Sequence, residues 1–297
     1  DMSAVVDGSW VRRVADYRGS QRGAGYYNGT YDDSLNEGND WDKGDHFLQL
    51  SNREEELIDL VTSNFDNVVV VYNGANAFEM DWVKNYPQIK GVLLCPGTGQ
   101  SGFEGFGRVV AGEVNPSGRT ADTYAADLTA SPWWNNFGDF KYTNTSEFNS
   151  NASMFDPEGT TPSFVNYVEG IYVGYKFYET AADEGLIDYD KEVVYPFGYG
   201  LSYTTFEYSD LKADEKGVTL TVTNTGSCAG AEIVQLYVAK QDAKVFRPAQ
   251  ELKGFAKIFL APGESRTVSI ALDDKAFRYW NVKTDRWEVE GGSYQLR

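Results

Sequence analysis

The chain has 297 residues, 41% of them hydrophobic and 24% charged, enough for two domains with ordinary cores and typical of a soluble globular protein. A formal charge of −18 repels phosphate backbones and argues against nucleic acid, whereas neutral ligands such as sugars stay compatible. No apolar run approaches the roughly 20 residues a bilayer span needs, Asp1-Met2-Ser3 lacks the basic-then-apolar pattern of a secretion signal, and Cys95 and Cys228 read as two unpaired thiols. A cytoplasmic and a secreted location both stay open.

Residues 1 to about 50 are rich in Gly, Asp, Asn and Tyr with no sustained period, the texture of long loops whose aromatics favour a functional role. A helix is expected from Ser51, with Ser51 as N-cap, Glu54 three residues on and acidic groups in the first turn. Val68 to Tyr72 is a β-branched run of buried-strand type that Asn73-Gly74 ends. A short helical stretch around Phe78 to Lys84 leads to a second apolar run, Gly91 to Cys95, and then to a helix near Phe103 to Ala111. Strand, helix, strand, helix at this spacing argues a parallel sheet with right-handed crossovers. Asn115-Pro116-Ser117-Gly118 has the composition of a turn. A second long loop runs from Asp127 to about Asn166 and holds the sequons at Asn144 and Asn151, which are no evidence of glycosylation by themselves. Gly170 to Thr180 is expected to form a strand or helix packing toward the aromatic stretch after it.

That stretch is Val194 to Tyr208, where two glycines, a proline and six aromatics separate unlike textures. A flexible linker would be polar and rich in Gly and Ser, so this stretch reads as a fixed joint. Beyond it, Gly217 to Gly226, Ile233 to Ala239, Val268 to Leu272 and Trp287 to Val289 are short alternating strands, the pattern of an immunoglobulin-like sandwich. Gly292 to Arg297 reads as the start of a last strand that stops abruptly, as a truncated chain would.

Three segments carry a family resemblance: Val114-Asn115-Pro116-Ser117-Gly118-Arg119, the run Glu169 to Tyr178, and Tyr195-Pro196-Phe197-Gly198-Tyr199-Gly200-Leu201-Ser202-Tyr203. In this order they resemble signatures of glycoside hydrolase family 3, and Glu251-Leu252-Lys253-Gly254-Phe255 resembles that family's fibronectin type III-like domain. The resemblance implies an α/β fold: an α/β sandwich domain over residues 1–200 with a mostly parallel sheet, then an all-β fibronectin type III-like sandwich over 201–297. It also implies a partner, because the family's (β/α)8 barrel has no counterpart here and must lie on the same gene product or another chain. The expected substrate is a β-linked oligosaccharide, the chain alone is expected to be inactive, and a homodimer is compatible. No cofactor, metal, nucleic acid or membrane is expected.

Retaining glycoside hydrolysis needs two carboxyl groups, a nucleophile and a proton donor that later activates water. The resemblance places the second on a loop of the sandwich domain that leans over the barrel. The closest match to the usual Gly-Glu-Gly with Asp-Arg behind it is Asn36-Glu37-Gly38-Asn39-Asp40-Trp41, so Glu37 is the first candidate for acid/base and Asp40 the second. Gly23-Ala24-Gly25-Tyr26-Tyr27 competes for the same role with alanine where the acid would stand, and the acid could also precede Asp1. Tyr26, Tyr27, Tyr31, Trp41, Trp133 and Trp134 are candidates for a sugar-stacking rim. Gly97-Thr98-Gly99-Gln100-Ser101-Gly102 matches a dinucleotide fingerprint, but a lone match after a strand that is not the first of its sheet reads better as tight packing. His46, the sole histidine, reads as a loop residue rather than a catalyst. A non-catalytic carbohydrate-binding module and other exo-glycosidase activities, β-xylosidase among them, stay as alternatives.

Overall fold

The computed structural model describes residues 42, 45, 46, 48–74, 76–134 and 167–297. The chain divides into two compact units, one from Asp1–Gly97 and Tyr124–Gly170, the other from Thr98–Thr123 and Ile171–Arg297.

In the first unit, helix α1 (Asn52–Asn64) starts where Ser51 and Glu54 form a reciprocal capping box: the Ser51 hydroxyl accepts from Glu54 N–H at 3.4 Å and the Glu54 carboxylate accepts from Ser51 N–H at 2.9 Å. Strands β1 (Val68–Tyr72) and β2 (Ile89–Leu94) pair in parallel, with Tyr72 opposite Leu94, as the alternating pattern implies. The β-branched run does not bury both faces, however. Val69 and Val71 are exposed, because among the described residues β2 is the strand paired with β1 and no layer covers that face. The helical stretch expected over Phe78 to Lys84 is confined to a 3₁₀ turn at Asp81–Asn85. Its first half cannot coil, since Glu79 N–H donates to Leu48 C=O at 2.8 Å and ties that backbone to another segment. Phe78 and Met80 are buried there with Leu48 and Leu128, just past the two-residue strand β3 (Tyr124–Ala125).

The second unit contains helix α2 (Gly102–Val110), helix α3 (Tyr175–Asp183), the single turn α4 (Tyr189–Glu192) and strand β4 (Val193–Tyr195) ahead of the sandwich. The sandwich strands are β5 (Phe206–Asp214), β6 (Gly217–Asn224), β7 (Gly230–Lys240), β8 (Glu251–Leu260), β9 (Ser265–Ala271), β10 (Arg278–Asn281), β11 (Arg286–Val289) and β12 (Tyr294–Leu296). One antiparallel sheet has the order β5-β6-β9 and the other β12-β7-β8, while β10 and β11 form a hairpin. Period-two alternation points Val218, Leu220 and Val222 of β6, Val234, Leu236 and Val238 of β7, and Val268 and Ile270 of β9 into one core. Each such side chain contributes roughly 1.5–3 kcal/mol by leaving water, so this core, and not the surface charges, holds the sandwich together.

The aromatic joint is fixed from both sides. Gly198 N–H donates to Thr120 C=O at 2.8 Å, Thr120 N–H donates to Tyr199 C=O at 2.8 Å, and Gln235 of β7 donates from Nε2 to Gly198 C=O at 2.9 Å. Asn115 ties the Asn-Pro-Ser-Gly segment to the same place, accepting from Ser202 Oγ at 2.9 Å and Tyr203 N–H at 2.8 Å and donating to Ala229 C=O at 3.0 Å. From α3, Tyr175 stacks on Phe197 with ring centroids 4.7 Å apart and accepts at its hydroxyl from Leu252 N–H at 2.9 Å. The stretch 170–180 therefore packs on the joint, as its aromatic content suggests.

Candidate functional site

The candidate site lies past the C-terminal end of β1, where the Phe78 ring stacks on Tyr72 at 4.9 Å between centroids, the edge at which open parallel sheets bind ligands. Three segments of the first unit meet there. Residues 45–50 lead into the α1 cap, residues 76–80 follow β1, and residues 125–134 follow β3. The hub is His46, which is 2% exposed. Its Nδ1 accepts from Leu48 N–H at 3.1 Å, so the ring proton sits on Nε2, which faces Glu79 Oε1 at 3.1 Å and donates to it. The same Glu79 oxygen accepts from Leu128 N–H at 2.7 Å, and Trp82 Nε1–H donates to Glu79 C=O at 3.0 Å. Trp134 tilts against the His46 ring, 4.8 Å between centroids, and Trp133 lies 5.9 Å from Trp134.

Both nitrogens of His46 are thus occupied by groups of the fold, which leaves the ring no free position from which to act as a base. Its work is to hold three chain segments together, in agreement with its reading as a non-catalytic loop residue. Nothing in the sequence pairs His46 with Glu79, because they are 33 positions apart in different textures. Replacing His46 with Ala would take one of its hydrogen-bond donors from the Glu79 carboxylate, strand the Leu48 N–H and open a hole beside Trp134. The expected cost is about 1–3 kcal/mol, the range for orphaned buried partners. Denaturant unfolding of the 297-residue chain reads this loss, and a shift under about 0.5 kcal/mol, the scale of ordinary surface substitutions, would remove His46 as the anchor.

Of the residues expected at a sugar site, Glu37, Asp40, Trp41, Tyr26, Tyr27 and Tyr31 lie outside the described residues, as do the sequons at Asn144 and Asn151. Trp133 is described: it is half-buried, on the same aromatic stack as the His46 anchor. The glycine-rich turn after β2 does open α2, but its N-cap Ser101 makes no capping bond and Gly102 lies against the side chain of Thr98 within the turn itself. Among the described residues no group of three or more His, Cys, Asp or Glu is arranged to hold a metal ion, and no helix is long and apolar enough to cross a membrane.

A parallel α/β unit with loops gathered beyond its strand ends, followed in sequence by an antiparallel β-sandwich, is the architecture of a two-domain α/β plus fibronectin type III-like protein. Residues 29–203 match the glycosyl hydrolase family 3 C-terminal domain and residues 232–297 match the fibronectin type III-like domain. The chain belongs to glycosyl hydrolase family 3. It is 37% identical over 257 residues to thermostable beta-glucosidase B of Acetivibrio thermocellus, covering 84% of this chain and 30% of that protein. It is 39% identical over 255 residues to exo-alpha-(1->6)-L-arabinopyranosidase of Bifidobacterium longum, covering 84% and 30% respectively. Among solved structures, the GH3 beta-glucosidase of Bifidobacterium adolescentis superposes with a TM-score of 0.66 at 36% identity, over 84% of this chain and 33% of that one. The chain thus spans about a third of the length of the relatives it matches.

Proposed function

We propose that this chain is the non-barrel part of a retaining exo-β-glycosidase, a β-glucosidase in the first instance, which supplies the acid/base loop over a (β/α)8 barrel carried on the same gene product or another chain. The observation that carries this reading is the family 3 C-terminal match over residues 29–203, a span that contains Glu37 and Asp40. Glu37 is nine positions before the buried His46 anchor and fourteen before the Ser51 cap of α1, so a loop bearing it would be held from its C-terminal side. In this reading Glu37 gives a proton to the leaving oxygen and then takes one from water, Asp40 is the second choice for that role, and Trp41, Tyr26, Tyr27 and Trp133 line the sugar path. In this reading the domain division falls at 200/201, within the aromatic joint.

The test is Glu37→Ala in the complete enzyme, assayed on aryl β-glucosides with good and poor leaving groups. Loss of general acid help should cost at least about 100-fold where the leaving group is poor and far less where it departs unaided. Equal losses on both substrates, or none, would reject Glu37. A second reading concerns the glycone. The 39% identity to an arabinopyranosidase, against 37% to a beta-glucosidase, favours no single sugar, and a panel of aryl glycosides on the same enzyme separates the two.

A further inference from the structure

The β10–β11 hairpin has its polarity inside out. Its register places Tyr279 opposite Glu288 and Asn281 opposite Arg286 on one face, and Trp280 opposite Trp287 and Arg278 opposite Val289 on the other. The first face is polar and knitted together. Glu288 accepts from Asn281 Nδ2 at 2.8 Å, from Arg286 Nε at 2.8 Å and from Thr284 Oγ1 at 2.7 Å, and these bonds pull its carboxyl down to about 2. Apart from Arg278, which pairs with Asp274, the second face is apolar and open to solvent. Trp280 is 44% exposed, Trp287 59% and Val289 56%, and the two indoles meet edge to face at 5.5 Å between centroids. An exposed apolar cluster on the side a hairpin would normally turn inward marks a surface that something else covers.

We propose that this face binds a neutral β-linked glycan, with Trp280 and Trp287 stacking on its pyranose rings. Charge and size choose this occupant. The ionic groups around the hairpin neutralise one another in the pairs Arg278–Asp274, Arg286–Glu288 and Arg247–Glu290, and Lys283 and Asp285 of the turn offset each other. The result is an uncharged island on a chain of net charge −18, where a neutral ligand meets no field and a second copy of the chain would be repelled. Two indoles and a valine present on the order of a few hundred Å², well short of the roughly 800 Å² per partner of a stable protein interface, but matched to one or two sugar rings, whose axial C–H groups fit against an aromatic face. The choice of a β-linked chain rests on the glycosidase reading; the stacking surface does not.

Affinity electrophoresis of the 297-residue chain in gels containing soluble mixed-linkage β-glucan tests this without any need for turnover. The wild type should be retarded by β-glucan and not by dextran, and Trp280→Ala with Trp287→Ala should weaken retardation at least tenfold while the thermal midpoint holds. No retardation of the wild type, equal retardation by dextran, or retardation that survives the double substitution would overturn the proposal. So would a concentration-dependent dimer that the double substitution dissolves, which would assign the face to a second copy. Undiminished glycosidase activity in a Glu37 variant of the complete enzyme, with β-glucan still bound by the 297-residue chain, would reject the acid/base reading and leave this surface standing, so the two readings fail separately.

Discussion

Arg119→Ala is expected to destabilise the sandwich-bearing unit by about 3–5 kcal/mol, the range for an ion stranded without its partner in a protein interior. Glu232 occupies an inward position of β7, and its side chain is 11% exposed against 13% for Arg119. Arg119 Nη2 bonds both carboxylate oxygens at 2.8 Å, and the Tyr208 hydroxyl donates to Oε1 at 3.0 Å. Burial, with the Glu232 charge beside it, pushes the Tyr208 phenol above its usual range, so it stays a proton donor at any physiological pH. Remove the guanidinium and the carboxylate keeps one phenol for company. The pair itself is worth less than that loss suggests, because Arg119 Nη1 is buried with no hydrogen-bond partner among the described residues and its desolvation is only partly offset. Arg119→Met combined with Glu232→Leu should therefore recover at least half of the stability, held back by the Tyr208 hydroxyl that then lacks its acceptor. Chemical denaturation of the three proteins measures this. A single substitution that costs under about 1 kcal/mol, the value of a surface pair, would show that water reaches Glu232.

How much of the fold was legible in the chain depends on the range of the interaction. The α1 start could be read because Ser51 and Glu54 are three residues apart and satisfy each other. The parallel β1–β2 pair could be read because its connection is short and its strands are continuous apolar runs. Strand β6 announces itself by strict alternation, Val218, Leu220 and Val222 inward with threonines outward. By contrast β5 hides, since Glu207, Ser209, Asp210 and Lys212 give an edge strand with an irregular register and almost no buried side chain. Hairpin β10–β11 was half visible, as Trp287 to Val289 alone, because its apolar face turns outward and breaks the expected pattern. At the candidate site the motif around Glu37 lies outside the described residues, and the anchor was not legible: His46, Glu79 and Leu128 come together only through the fold.

Gly198→Val should cost about as much as the Arg119 change, for a different reason. Gly198 has φ +78°, and a side chain in the left-handed region costs roughly 1–2 kcal/mol, with a β-branched one at the high end. A Cβ there would also collide with the side-chain amide of Gln235, the group that donates to Gly198 C=O, and displacing a packed neighbour adds about 1–3 kcal/mol. The collision is with a side chain, so Gln235 can swing aside at the loss of its bond. At Gly200 a Cβ would instead meet the backbone carbonyl of Gly118, which can move only if the Asn-Pro-Ser-Gly segment moves with it. Gly200→Ala should therefore be out of proportion to its size, whereas Gly198→Ala combined with Gln235→Ala should regain the collision part of its loss and keep the backbone part. Thermal unfolding of these variants separates the two contributions. In the complete enzyme, a Gly198→Val protein that lost turnover at unchanged thermal stability would contradict the structural role assigned to the joint, since strain at Gly198 and the push on Gln235 must first appear as weaker packing between the joint and β7.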